Sequence, residues 1–374
     1  MNTKKYTALT IDTSIFDQNA LKLKKGALAT LKQFKDLPIN FILSDIVERE
    51  VIKHLNKKEM EVIEKIKSAT KDDDLSNYLG CDDRFLLHKN KLLNIHNQDD
   101  MFTNNLWRDF INDCDINIIE SEGNVSIDEL INLYFSCKAP FSESGKKKNE
   151  FPDAIALLAF KKWAVDNNQM ILAVSDDKDW KKFAENEDWI DVVDDLGTAI
   201  ETLRSICDNS LQDLVIDIQN NLFKEPYSLF LENIKEEIEA KLYISEIYAE
   251  SPFQYEIDDE MIQVNEIIEI SNIRLIDSDS ESITIMIDCK VDYYAEASFC
   301  FFVKDSIDKN DVNLGSSHKS IEDSFSTEIV ITLTGNIING LESMDINEIE
   351  ITHTDVTIDM GYVHPFEDYD EGNY

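Results

Sequence analysis

The sequence predicts an α/β domain, with a parallel sheet flanked by helices, followed by a separate α+β domain with a mainly antiparallel sheet. Three observations carry this. Short apolar runs alternate with helical patterns over the first 200 residues, the order that buries a parallel sheet on both faces. From about residue 255 the apolar period changes to two, as in strands with one wet face. Net charge divides in the same way: residues 1–200 hold 27 Lys and Arg against 36 Asp and Glu, a net −9, whereas residues 201–374 hold 9 against 39, a net −30.

The strands of the first domain are read from YTALTI (6–11), INFILS (39–44), MILAVS (170–175) and the weaker WIDVV (189–193), with helical patterns over 18–35, 45–67 and 152–165. Residues 68–150 are polar and read as a helical insertion or cap within a domain of residues 1–205. A helical connector is expected over 206–250, where SLQDLVIDIQNNLF and PYSLFLENIKEEIEAKLYI are separated at Pro226. The acidic α+β domain then covers 251–374, with strands read from IRLID, ESITIMIDCKVDYYAEASFCFFV and STEIVITLTGNI.

No apolar run approaches the about 18 residues of a membrane span, and the first residues lack a secretory apolar core, so the expectation is a cytoplasmic protein with no membrane partner. The cysteines at 81, 114, 137, 207, 289 and 300 show no CxxC pair and no zinc-ligand spacing, which reads as free thiols in a reducing compartment. A region near −30 repels phosphate backbones, so any nucleic-acid chemistry is assigned to the first domain.

Where strands end, carboxylates begin. Asp12 follows the first strand, and the stretch ILAVSDDKDW runs an apolar strand into Asp176, Asp177 and Asp179. Two readings of that cluster stand: a helix cap, because Asp accepts hydrogen bonds from free backbone donors, and a cation site. In DIVEREVIKHL, Glu48 completes a capping box with Asp45, whereas Glu50 lies on the apolar face beside Ile46, Val47 and Val51, where a carboxylate is costly unless paired or metal-bound. His54 reads as a hydrogen-bonded packing residue. Asp153 follows Pro152 in the first turn of an apolar helix, a place the helix dipole itself favours for negative charge. Four hard oxygen donors, Asp12, Glu50, Asp153 and Asp177, suit Mg²⁺ or Mn²⁺, which would offset their mutual repulsion. Lys146, Lys147 and Lys148, just upstream of Asp153, read either as a solvated basic loop or as point charges for phosphate oxygens. Trp180 reads as core packing, and Asp176 as a solvent-facing turn residue.

LTIDTSIF, LSDIVEREV, FPDAIALLAF and VSDDKDW, in this order over about residues 6–200, resemble the successive motifs of PIN domains, metal-dependent nucleases related in fold to flap endonucleases. The likeness extends to PIN-like domains of bacterial proteins of unassigned role, in which a lysine pair precedes FPDA, here GKKKNEFPDA. The resemblance implies a PIN-like sheet and single-strand-preferring endonuclease chemistry, RNA more than DNA, with one or two Mg²⁺ or Mn²⁺. By that likeness Asp12, Glu50, Asp153 and Asp177 are catalytic metal ligands, and Asp179 is a ligand or its neighbour. Thr13 and Ser14 would orient a carboxylate or a water, and Lys147 and Lys148 would meet substrate phosphates. The expected activity is phosphodiester hydrolysis, as in a toxin or phage-defence effector whose acidic C-terminal domain regulates it or binds a partner. The competing expectation is a binding scaffold whose acidic domain docks a basic protein; a homo-oligomer fits either.

Overall fold

The computed structural model describes residues 6–69, 102–141, 150–207, 228–279, 281–304, 310–335 and 344–365. Lys146, Lys147, Lys148 and the segment SLQDLVIDIQNNLF lie outside these residues. The chain divides into two compact units, Met1–Asn209 and Ser210–Tyr374.

Five parallel strands form the sheet of the first unit: β1 (Ala8–Ile11), β2 (Asn40–Ser44), β3 (Asn117–Ile119), β4 (Ile171–Val174) and β5 (Ile190–Val193), in the order β3-β2-β1-β4-β5. All four residues of β1 and of β4 are buried, as expected of strands covered on both faces. β1 pairs with β4 from Ala8↔Ile171 to Ile11↔Val174, so Asp12 and Ser175 leave the sheet side by side. The strand order reverses between β1 and β4. In open α/β sheets ligands bind at such a switch point, beyond the carboxyl ends of the strands.

Helices α1 (Thr13–Gln18), α2 (Gly26–Thr30) and α3 (Asp45–Ala69) follow β1 and β2. The helical pattern expected over 18–35 is broken: α1 ends at Gln18, Ala20 and Leu21 take left-handed φ of 52° and 56°, and a 3₁₀ turn over Leu31–Asp36 follows α2. Three residues with positive φ, counting Gly26 at 62°, reverse the chain where the apolar spacing alone suggested one helix. The region 68–150, expected as a helical insertion or cap, supplies part of the sheet itself. β3 pairs with β2 along its edge, Ile42↔Asn117 to Ser44↔Ile119. Before it, α4 (Phe102–Asp113) turns Trp107 and Phe110 onto Phe16, with ring centroids 5.7 and 6.1 Å away. After β3 comes α5 (Ile127–Ser136). The remaining helices of the unit are α6 (Phe151–Asn167), α7 (Lys178–Ala184) and α8 (Leu196–Cys207).

In the second unit, α9 (Ser228–Lys241) precedes β6 (Tyr243–Glu250), so a strand begins inside the segment expected to be a helical connector. β7 (Gln254–Ser278), β8 (Ser282–Lys304), β9 (Asp311–Gly335) and β10 (Met344–Ile351) make an antiparallel sheet in the order β10-β9-β8-β7, while β11 (Asp355–Tyr362) pairs in parallel with β6. β8 shows why its sequence alternates: every odd position from Ile283 to Phe301 is buried. Ile283 to Val291 pack with Phe230, Ile234 and Ile238 of α9, and Tyr293 to Phe301 pack with Val356, Ile358 and Met360 of β11. On the other face Arg274, 5% exposed, donates to Asp288 at 2.7 Å.

Candidate active site

Asp12 and Asp177 both cap helices, and the sequence makes them do so where strands stop. Asp12 is the N-cap of α1, its Oδ1 accepting from the Thr13 backbone N–H at 2.7 Å. Asp177 is the N-cap of α7, its Oδ1 accepting from the Asp179 N–H at 2.7 Å. The capping reading of SDDKD is thus correct in geometry, and it leaves the second oxygen of each carboxylate for other partners. In Asp12 that oxygen, Oδ2, accepts from Ser14 Oγ at 2.7 Å and from Ser175 Oγ at 3.1 Å. Ser175 Oγ in turn accepts from the Asp177 N–H at 3.1 Å, so one buried hydroxyl joins the ends of β1 and β4.

Glu50 reaches this region from α3. Thr13 Oγ1 donates to Glu50 Oε2 at 2.9 Å, which ties the first turn of α1 to the third acid. Asp153 arrives on the first turn of α6, where Trp180, fully buried, donates its indole N–H to Asp153 Oδ1 at 3.0 Å. Trp180 is therefore core, as expected, and also a holder of Asp153.

The charges of the other three acids all act on Asp153. Burial first, and then the charges of Asp12, Asp177 and Glu50, push the Asp153 carboxyl up to about 7, against the indole hydrogen bond that favours its ionised form. Burial also raises Asp12, helped by Asp177 and opposed by its hydrogen bonds to Ser14, Ser175 and Thr13. Like charges held together in a partly dry place leave a demand for positive charge. The donor set, all carboxylate oxygen with no thiolate or imidazole, fits a hard divalent cation. Among the described residues no set of three or more His, Cys, Asp or Glu side chains stands poised to hold a metal ion, so a shared ion requires these carboxylates to draw together around it.

Asp179 accepts from Lys182 Nζ at 3.0 Å, and its backbone N–H donates to Asp177. Asp176 is exposed. Thr13 and Ser14, expected to orient a carboxylate or a water, donate to Glu50 and Asp12. The capping box assigned to Asp45 and Glu48 is replaced by different partners. Ser44 Oγ accepts from the Val47 N–H at 3.2 Å, Asp45 accepts from Ser121, and Glu48 accepts from Trp107 Nε1 at 3.0 Å. His54 binds Asp17 through Nδ1 at 2.9 Å. Sequence reasoning missed Ser175 as part of the site. The signal was its place in SDDKDW, two residues before Asp177, but its contact with Asp12 needs the pairing of β1 with β4. The cysteines at 114, 137, 289 and 300 form no disulfide, and burial pushes the Cys114 and Cys289 thiols up to about 12. Among the described residues no helix is long and apolar enough to cross a membrane.

Residues 9–180 match the family model of the PIN domain, a span that takes in all four acids and ends on Trp180. No curated protein and no solved structure matches the chain.

Proposed function

We propose that the first unit, whose residues 9–180 match the family model of the PIN domain, a fold whose members are generally metal-dependent nucleases, hydrolyses phosphodiester bonds, in RNA in preference to DNA, with Mg²⁺ or Mn²⁺. The observation that supports this is the hydrogen-bonded path beyond β1 and β4 in which Thr13 links Asp12 to Glu50 and Ser175 links Asp12 to the Asp177 backbone, with the charges of these three acids also raising the Asp153 pKa. Bound there, the cation would offset the clustered charge, acidify a water and stabilise negative charge on the scissile phosphate. The chain's own residues do the positioning. Ser14 and Ser175 fix Asp12, Thr13 fixes Glu50, and Trp180 fixes Asp153, so the acids meet the substrate side with restricted rotamers. In-line attack by water would leave a 5′-phosphate and a 3′-hydroxyl, with no histidine base required.

The acidic second unit, which repels phosphate backbones, suits a regulatory or partner-binding role, such as restraint of a toxin or phage-defence effector. The −30 net charge of residues 201–374 also favours a second reading, in which the PIN fold is a scaffold and the acidic unit docks a basic protein. Titrating Mn²⁺ into wild type and Asp177→Asn while following labelled single-stranded RNA and DNA separates the two. Metal-dependent cleavage, faster on RNA and lost in the variant, is expected. Wild type that cleaves neither strand at any Mn²⁺ concentration would favour the scaffold.

A further inference from the structure

β10 is the outer strand of its sheet: among the described residues it pairs with β9 alone, and its other side presents backbone groups to a further strand. Which groups these are follows from the ladder. The Thr352 N–H donates to the Glu328 carbonyl at 2.9 Å, and in an antiparallel pair the residues that bond across it alternate with residues whose N–H and C=O point away. Ile349 is of the second kind, its carbonyl accepting from Lys241 Nζ of α9 at 3.3 Å. A cleft of about 690 Å³ lies between α9 and β10, and acids line it from both sides. Glu236 and Glu237 come from α9. Ile349 and Ile351 pack into the core that α9 covers, so Glu348 and Glu350, at the alternate positions, project from the opposite face of the strand. The cleft already holds one cation: Lys241 Nζ lies 2.6 Å from Glu237 Oε1 while it meets the Ile349 carbonyl.

We propose that an extended, lysine- or arginine-rich segment of a partner protein adds to β10 as a fifth strand, its backbone bonding to Ile349 and its cations meeting Glu236 and Glu237 on one face and Glu348 and Glu350 on the other. The inference rests on the partner-binding role of the acidic unit and is independent of the nuclease chemistry. Charge selects the occupant. Residues 201–374 carry −30 and the whole chain −39, so a nucleic acid or a second copy of this chain is repelled, whereas a basic segment is drawn in. Main-chain bonds alone would accept almost any sequence. Successive side chains of an added strand point to opposite faces, and with acids on both faces the edge favours cations at successive positions and rejects acids there.

The test uses the full chain and a fluorescein-labelled peptide of Lys-Lys-Val repeats, with binding read by anisotropy at low salt. The peptide should bind, more weakly as NaCl rises, and the same repeat with glutamate for lysine should not. A version N-methylated at every second residue keeps the charge and loses N–H donors; its affinity should fall about ten-fold or more. Hydrogen exchange at the Ile349 amide should be fast in the free chain and slow with peptide bound. Glu236→Lys with Glu348→Lys, both at exposed positions, should weaken binding about ten-fold or more. Glu260→Lys with Glu269→Lys makes the same charge change at exposed positions of β7, the opposite edge of the sheet, and should weaken it less than about three-fold. Circular dichroism checks that both variants fold. Equal weakening in the two variants, or undiminished affinity of the N-methylated peptide, overturns strand addition at this cleft and leaves an acidic unit that attracts cations at large. An Ile349 amide already protected in the free chain also overturns it, because another segment of the chain would then cover the edge. A lysine peptide that fails to bind at any salt concentration removes the partner-binding reading as well.

Discussion

Asp153 is where burial and function pull hardest against each other. Its carboxyl, pushed from 3.8 in the unfolded chain to about 7, holds its proton in the folded state at pH values where the unfolded chain has released it. The stability this gives is complete below the unfolded value and is lost as pH rises through about 7, a swing on the order of a few kcal/mol. In EDTA, the melting temperature of wild type should therefore fall between pH 5 and pH 8 more than that of Asp153→Asn, which carries no titrating group at this position. Mn²⁺ added at pH 8 should raise the wild-type melting temperature and leave the variant's nearly unchanged. Parallel melting curves for the two proteins across this range would show that Asp153 is not held among like charges.

At the scale of elements, Asp177 serves two masters. As N-cap of α7 it satisfies the Asp179 N–H, a task that asparagine performs equally well; as an anion near Asp153 it contributes charge that asparagine lacks. Asp177→Asn should keep wild-type stability and lose cleavage. Asp177→Ala should lose both, with stability down by about 1 kcal/mol in denaturant titration. If both variants cleave normally, the cap is the residue's whole role. The same logic explains what was legible here. Apolar runs followed by capping acids mark both strand ends and helix starts, so β1, β4, Asp12 and Asp177 could be read from spacing, β2 from its apolar run, Glu50 from the period of its helix and Asp153 from its place after Pro152. β3 could not, because a strand of three residues has no period to detect. Nor could the full reach of β7 and β9, 25 residues each, where acids and serines on the wet face break the apolar alternation. Trp107 is a further case: its hydrogen bond to Glu48 joins residues 59 apart, and no local pattern announces it.

For the molecule as a whole, charge asymmetry is the dominant physical fact. The second half carries −30 over residues 201–374, and the compact state concentrates that charge. Raising ionic strength from about 0.01 to 0.15 M shortens the screening length from about 30 to 8 Å, which relieves self-repulsion. The apparent melting temperature should rise over this range in NaCl, as followed by intrinsic fluorescence. A melting temperature that falls with salt would mean that attractive ion pairs, such as Arg274 with Asp288, outweigh the repulsion.

Residue order by itself determined which side chains were candidates: four acids placed at strand ends and on helices that are largely apolar, together with a change of period that separates two folding units and a divide in net charge between the two halves of the chain. Only the tertiary structure decided who holds whom. Ser175 meets Asp12 across 163 positions because β4 lies beside β1, and Trp180 meets Asp153 because α6 and α7 share a core. Local spacing records the preferences of a residue for its near neighbours, whereas these contacts arise from the packing of distant elements, which no window of sequence contains.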